Sequence, residues 1–235
     1  MDRVEVKNRE SSIVLVGSFN PLVMAPHWFV KNGLIPQEDV TDSLEIDVVY
    51  SELTKFTLGN IGVEITQNKM VLRSSLESHD VRIHDLALSV LALVRDAEVS
   101  ALGLNVYNDW YFHDVDDWHR VGDMLAPKQP WLNVYPASPR VGLAKMQMQV
   151  KKPEGMPGVF NLGVSWLDEK KWIRFSVNDH YDGNYLGSSS AHHVGGTFQK
   201  SKKFDPVTII STFWMDTLRL QRDIAAQIVE QARES

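Results

Sequence analysis

The chain contains no cysteine. That absence removes disulfides, zinc–thiolate sites, cysteine-ligated iron–sulfur clusters and cysteine nucleophiles. Long apolar runs are missing too. The strongest hydrophobic stretch, Ile83–Val94, is shorter than a membrane span and carries His84 and Asp85. Positive charge is in deficit: 24 Lys and Arg stand against 30 Asp and Glu in 235 residues, a net charge of −6, with a pI near 5.7. Nonspecific binding to nucleic acid or to an anionic membrane needs local positive potential, which this balance disfavours. The exception is Lys200, Lys202 and Lys203, the one cluster through which nucleic acid is expected to bind if at all.

Several catalytic signatures are also absent. There is no Gly-x-x-x-x-Gly-Lys-Ser/Thr phosphate loop, no Gly-x-Gly-x-x-Gly turn and no Gly-x-Ser-x-Gly nucleophile elbow. The start, Met1-Asp2-Arg3-Val4-Glu5-Val6-Lys7, is charged and does not read as a secretory signal, so a cytosolic protein is expected. No short-period repeat or low-complexity tract appears.

What is present is strand patterning. Phe160, Leu162, Val164 and Trp166 alternate with Asn161, Gly163 and Ser165, and Ile173, Phe175 and Val177 alternate with Arg174, Ser176 and Asn178. Period two is what a sheet with one buried face requires. Leu167–Lys171 is short and polar, so these strands should form a hairpin. With a preceding strand over Arg140–Val150 they make a three-stranded meander. Upstream, strands are expected at Ser12–Phe19, Leu53–Leu58, Ile61–Gln67, Lys69–Ser74 and Glu98–Tyr107, with Gln37–Ser43 as an acidic loop.

Helices follow from period 3.6. A final helix is expected from Pro206 to about Ala232, with Asp205 as N-cap and a stripe of Ile210, Phe213, Trp214, Thr217, Leu220, Ile224 and Ile228. A second runs over His79–Ala97, capped by Ser78 or Asp80, and shorter ones over Pro26–Gly33 and Val115–Leu125, the last capped by Asp114. Asp116 and Asp117 then fall in a first turn, where the helix dipole favours them.

The strands come in hairpins, not one per helix. The expected fold is therefore α+β with a largely antiparallel sheet and helices on one face, as a ferredoxin-like sandwich or a pair of such layers. Residues 1–126 form an N-terminal half. Residues 127–139 are a proline-rich connector, and 140–235 hold the meander and long helix, with one continuous domain as the alternative.

Three places attract chemistry. The segment His180–Phe204 is longer than a connector needs to be. Asp179, His180 and Asp182 stand at its start, and His192 and His193 would fold back beside them in a metal or acid–base site. His113, Asp114, Asp116, Asp117 and His119 form a dense imidazole–carboxylate cluster. Finally, Gly17-Ser18-Phe19-Asn20-Pro21 followed by His27 partly resembles the opening motif of nucleotidylyltransferases such as the nicotinate-nucleotide adenylyltransferases. The family's paired histidines would place one at Val23, and its glycine before the second histidine is Pro26 here. The resemblance implies a nucleotide binder through Gly17–His27 on a parallel sheet.

No cofactor is expected. The leading expectation is a non-enzymatic protein-binding or structural subunit of an oligomeric assembly, through self-association or a protein partner. Its aromatic interface would draw on Trp110, Tyr111, Trp131, Tyr135, Tyr181 and Tyr185, with Trp110 and Trp131 in loops. The alternative is a metal-dependent hydrolase or phosphodiesterase using Asp179–His193.

Overall fold

The computed structural model describes residues 4–36, 44–94, 97–131, 141–153, 156–167, 171–183 and 204–234. Nine strands form one sheet. They are β1 (Val4–Val16), β2 (Leu44–Val49), β3 (Leu53–Leu58), β4 (Ile61–Thr66), β5 (Lys69–Ser74), β6 (Ala101–Phe112), β7 (Lys145–Lys151), β8 (Val159–Leu167) and β9 (Trp172–Asp182). The helices are α1 (Pro26–Lys31), α2 (Asp80–Leu93), α3 (Val115–Leu125) and α4 (Pro206–Glu234).

The strand order is β2-β3-β4-β5-β1-β6-β9-β8-β7. Every neighbouring pair is antiparallel. The α+β class with a largely antiparallel sheet is therefore the fold. The expected order strand, helix, hairpin, helix, strand is found as β1, α1, β4–β5, α2 and β6, with a further pair, β2–β3, between α1 and β4. The meander after the connector makes no second layer. It extends the same sheet, because β9 pairs with β6 along Ala101–Tyr111.

Strand boundaries differ from the sequence reading where polar residues interrupt the alternation. β1 starts at Val4, not Ser12, and absorbs its charged first half by pairing with β6 across a bulge between Val6 and Asn8. β6 runs on to Phe112 instead of ending near Tyr107. Its polar Asn108-Asp109 pair is buried and meets distant partners: Asn108 Nδ2 donates to Gln221, and Arg174 donates to Asp109. β7 begins at Lys145, not Arg140. β2 was not anticipated at all, since its Leu-Glu-Ile-Asp-Val-Val is short and carries its own bulge between Ile46 and Val48.

The helices lie on one face. Two apolar clusters fill the interface. One joins Ile13, Leu15, Phe56 and Leu72 to Ile83, Val90, Ile210 and Trp214. The other joins Phe112, Val164, Ile173 and Phe175 to Val121, Ala225 and Val229. Between them α4 buries Gln221, which accepts from Asn108 Nδ2 (2.8 Å) and donates to the Phe175 carbonyl (2.9 Å).

The buried seam of α4 departs from its expected stripe. Leu218, Ala225 and Val229 are buried, while Leu220, Ile224 and Ile228 are half-exposed. The cap of α2 also differs. No side chain caps it; Asp80 is buried and accepts from Ser11 Oγ (2.7 Å) and Arg9. Asp114 does cap α3, accepting from Asp116 N at 2.8 Å.

Candidate functional site

Asp179 does not open a loop. It lies within β9 and is buried on the helix-bearing face. Three side chains converge on it. Thr217 Oγ1 of α4 donates to Oδ2 at 2.8 Å, the Tyr181 hydroxyl donates to Oδ2 at 3.0 Å, and the Lys152 ammonium pairs with Oδ1. Lys152 arrives from just beyond β7, lying over the Tyr181 ring and 4.9 Å from the centre of Phe160. Its side chain is 1% exposed. Burial pulls its ammonium down to about 8, against the opposing hydrogen bond and charge of Asp179. Burial raises the Tyr181 phenol, and the Asp179 charge adds to the shift.

His180 follows Asp179 and so projects to the opposite face, across from Gly103. Asp182 ends the strand. The expected cluster is therefore split between two faces within the described residues, and His192 and His193 lie outside them. Asp179 is already committed to a lysine and two hydroxyls. Among the described residues no group of three His, Asp or Glu side chains is placed to hold a metal ion. The His113–His119 cluster is likewise dispersed: Asp114 is a cap, and buried Asp117 pairs with Arg120 Nη1 (2.7 Å) and Arg233 Nε (3.4 Å).

The aromatic interface needs correction. Tyr181 is buried and cannot meet a partner. Trp110 and Tyr111 are strand residues of β6, not loop residues; Trp110 packs edge-on against Phe175 (6.0 Å), and Tyr111 sits against His113. Trp131, in a 3-10 turn over Gln129–Trp131, is exposed as expected. Tyr135, Tyr185, Lys200, Lys202 and Lys203 lie outside the described residues.

At the strand exit, a Cβ on Gly17 would come 2.8 Å from the Glu98 carbonyl oxygen, so the glycine lets two backbone segments approach closely. The parallel sheet that the nucleotidylyltransferase resemblance implies is not the sheet observed. His27 instead sits on the exposed side of α1.

That side borders the feature that sequence reasoning missed. Leu44, Ile46 and Val49 of β2 follow the sheet's rule, facing the helix side opposite Leu58, Phe56 and Thr54. Among the described residues no helix covers Ile46 and Val49, while Leu44 is half-buried against the core. α1 packs further in, with Phe29 edge-on to Phe56 at 5.3 Å. Ile46 is 56% and Val49 41% exposed, and Leu22, which lines the same groove, is exposed as well. A groove of about 530 Å³ runs between α1 and β2, floored by Leu44, Ile46 and Val49, with His27 and Lys31 on its helix side.

Among the described residues β2 is an edge strand, so one side of its backbone has no neighbour in the sheet. Its intervening residues, Glu45 and Asp47, face away from the helices, where Asp47 pairs with Lys55 at 2.9 Å. The signal in the sequence was Leu-x-Ile, two apolar residues one apart beside acidic ones, too short to distinguish from a loop. Comparison with protein families and with curated proteins finds no match for this chain.

Proposed function

We propose that the protein works by binding and not by catalysis, as a subunit that takes an extended protein segment along β2. One observation carries the reading: a strand with the apolar row of a buried face stands at a sheet edge with two of that row's three residues, Ile46 and Val49, exposed. Monomeric proteins rarely leave contiguous apolar surface of this kind uncovered. A groove between an edge strand and a helix accepts an added strand, whose backbone continues the ladder while alternate side chains enter the groove.

The chemistry of the occupant follows. Every second residue is apolar, to meet Leu44, Ile46 and Val49. The residues between are basic or uncharged, to meet Glu45 and Asp47. The test is an Ile46→Lys/Val49→Lys variant, compared with wild type for association measured by light scattering and for retention of a purified partner. Loss of both, with an unchanged thermal melt, is the expected result. Equal association by variant and wild type, or a wild type with neither self-association nor partner, refutes the reading.

A further inference from the structure

The opposite edge of the sheet has the same unfinished character. β7 reads Lys145-Met146-Gln147-Met148-Gln149-Val150-Lys151. Met146, Met148 and Val150 face the helix side opposite Val164, Leu162 and Phe160. Met148 is 53% and Val150 46% exposed. Lys145, Gln147, Gln149 and Lys151 face the open side, with Lys145 and Gln147 bordering a polar depression that also holds Asn161, Arg174 and Asn178.

We infer that the segment taken by β2 is β7 of a second copy of this chain, so that copies join edge to edge into one continued sheet. This rests on the reading of β2 as a docking edge and names its occupant.

Direction comes first. With nine strands and every neighbour antiparallel, the first and last strands of the sheet run the same way. A copy moved sideways without turning over therefore sets its β7 parallel to β2, with the helices of both copies on one side. The row Met146, Met148 and Val150 then continues the row Leu44, Ile46 and Val49. On the other face, Lys145 and Lys151 come to the strand that carries Glu45 and Asp47.

Charge selects this pairing over the two self-pairings. Two β2 edges brought together antiparallel about Ile46 set Glu45 beside Asp47. Two β7 edges brought together about Met148 set Lys145 beside Lys151. Edge lysines ordinarily deter pairing; here they repel a second β7 and attract β2. A head-to-tail contact of this kind is heterologous, and it grows into rings or open filaments instead of stopping at a dimer.

The experiment uses the full chain in two charge-reversed forms, Lys145→Glu/Lys151→Glu and Glu45→Lys/Asp47→Lys, each checked by circular dichroism for an unchanged fold. Sedimentation velocity and light scattering are followed over a concentration series. Wild type is expected to form species larger than a dimer, and each variant alone to associate at least about tenfold more weakly. Mixing the two variants restores association, because each supplies an edge matching the other's altered edge. A wild type that stays monomeric at its highest soluble concentration overturns the inference, as does assembly unaffected by both variants or a mixture that fails to recover. A wild type that is monomeric yet retains a different partner, lost in Ile46→Lys/Val49→Lys, overturns this inference and leaves the β2 docking edge standing.

Discussion

Replacing Asp179 with alanine strands a buried ammonium. Lys152 is enclosed by Tyr181, Phe160 and the end of β7, and Asp179 is its counter-charge. Removing one partner of a buried ion pair costs about 3–5 kcal/mol, because the other charge stays desolvated. The donors Thr217 Oγ1 and Tyr181 OH lose their acceptor as well. Against a typical domain stability of roughly 5–15 kcal/mol this is a large fraction, and at roughly 2–4 °C per kcal/mol it lowers the melting temperature by about 10 °C. The control is Lys152→Met/Asp179→Asn, which removes both charges and keeps an acceptor oxygen for Thr217 and Tyr181. It should unfold within about 2 kcal/mol of wild type.

The pair also predicts a pH dependence with a definite sign. Lys152 loses its proton near 8 in the folded protein and near the ordinary 10.5 when unfolded. Between those values the unfolded chain binds more protons, so stability rises with pH by up to about 1.4 kcal/mol per unit. Above about pH 10 the raised Tyr181 phenol reverses the slope, since the folded form then holds the proton that the unfolded form gives up. Urea unfolding from pH 7.5 to 10.5, followed by circular dichroism, reads the rise, and Lys152→Met abolishes it. If Asp179→Ala costs less than about 1 kcal/mol, Lys152 reaches water in solution and the argument fails.

Other perturbations have definite outcomes. Gly158→Ala forces a side chain onto φ +113° and drives its Cβ into the His180 carbonyl oxygen; urea unfolding should show a loss of at least about 2 kcal/mol. Trp214→Phe removes the indole hydrogen bond to the Asp80 carbonyl (2.9 Å) and leaves a void between α2 and α4. A cost of about 2 kcal/mol is expected by the same measurement. Asp117→Ala releases Arg120 and Arg233 together; hydrogen exchange should rise at the C-terminal end of α4, and Arg233→Ala alone should raise it less, because that side chain is 38% exposed.

The sheet was legible wherever one face is buried without interruption. In β4, β5 and β9 the buried residues fall at every second position. α4 was legible as a helix from Asp205, whose carboxylate accepts from Val207 N and Thr208 N. Its line of contact was less so: Leu218, Gln221, Ala225 and Val229 are buried, where Leu220, Ile224 and Ile228 were expected. Polar residues misled most. The strand over Glu98–Tyr107 is expected to stop before Asn108 and Asp109, because nothing local shows that Gln221 and Arg174 will meet them. Asp179 was singled out, but with the wrong neighbours. Its partners Lys152 and Thr217 lie 27 and 38 positions away, and only the sheet register and the helix crossing bring them together. The same limit hid the candidate docking edge.

Leu44, Ile46 and Val49 resemble a loop with scattered apolar residues until β3 fixes which face they occupy. Once the face is known, the exposure becomes informative, because the rest of that face is covered. The four strands β5, β1, β6 and β9 lie under α2 and α4, whereas among the described residues no helix lies over the outermost strand on either side. A sheet that needed only to fold would gain by ending in polar strands, since exposed methionine and isoleucine at an edge invite unwanted pairing. Here both ends keep an apolar row on the same side and opposite charge on the other. Random surface variation has no reason to match the two ends in face and oppose them in charge. A joint between copies requires both, and the charge-reversed pair distinguishes that requirement from coincidence, because only a true joint is recovered by mixing.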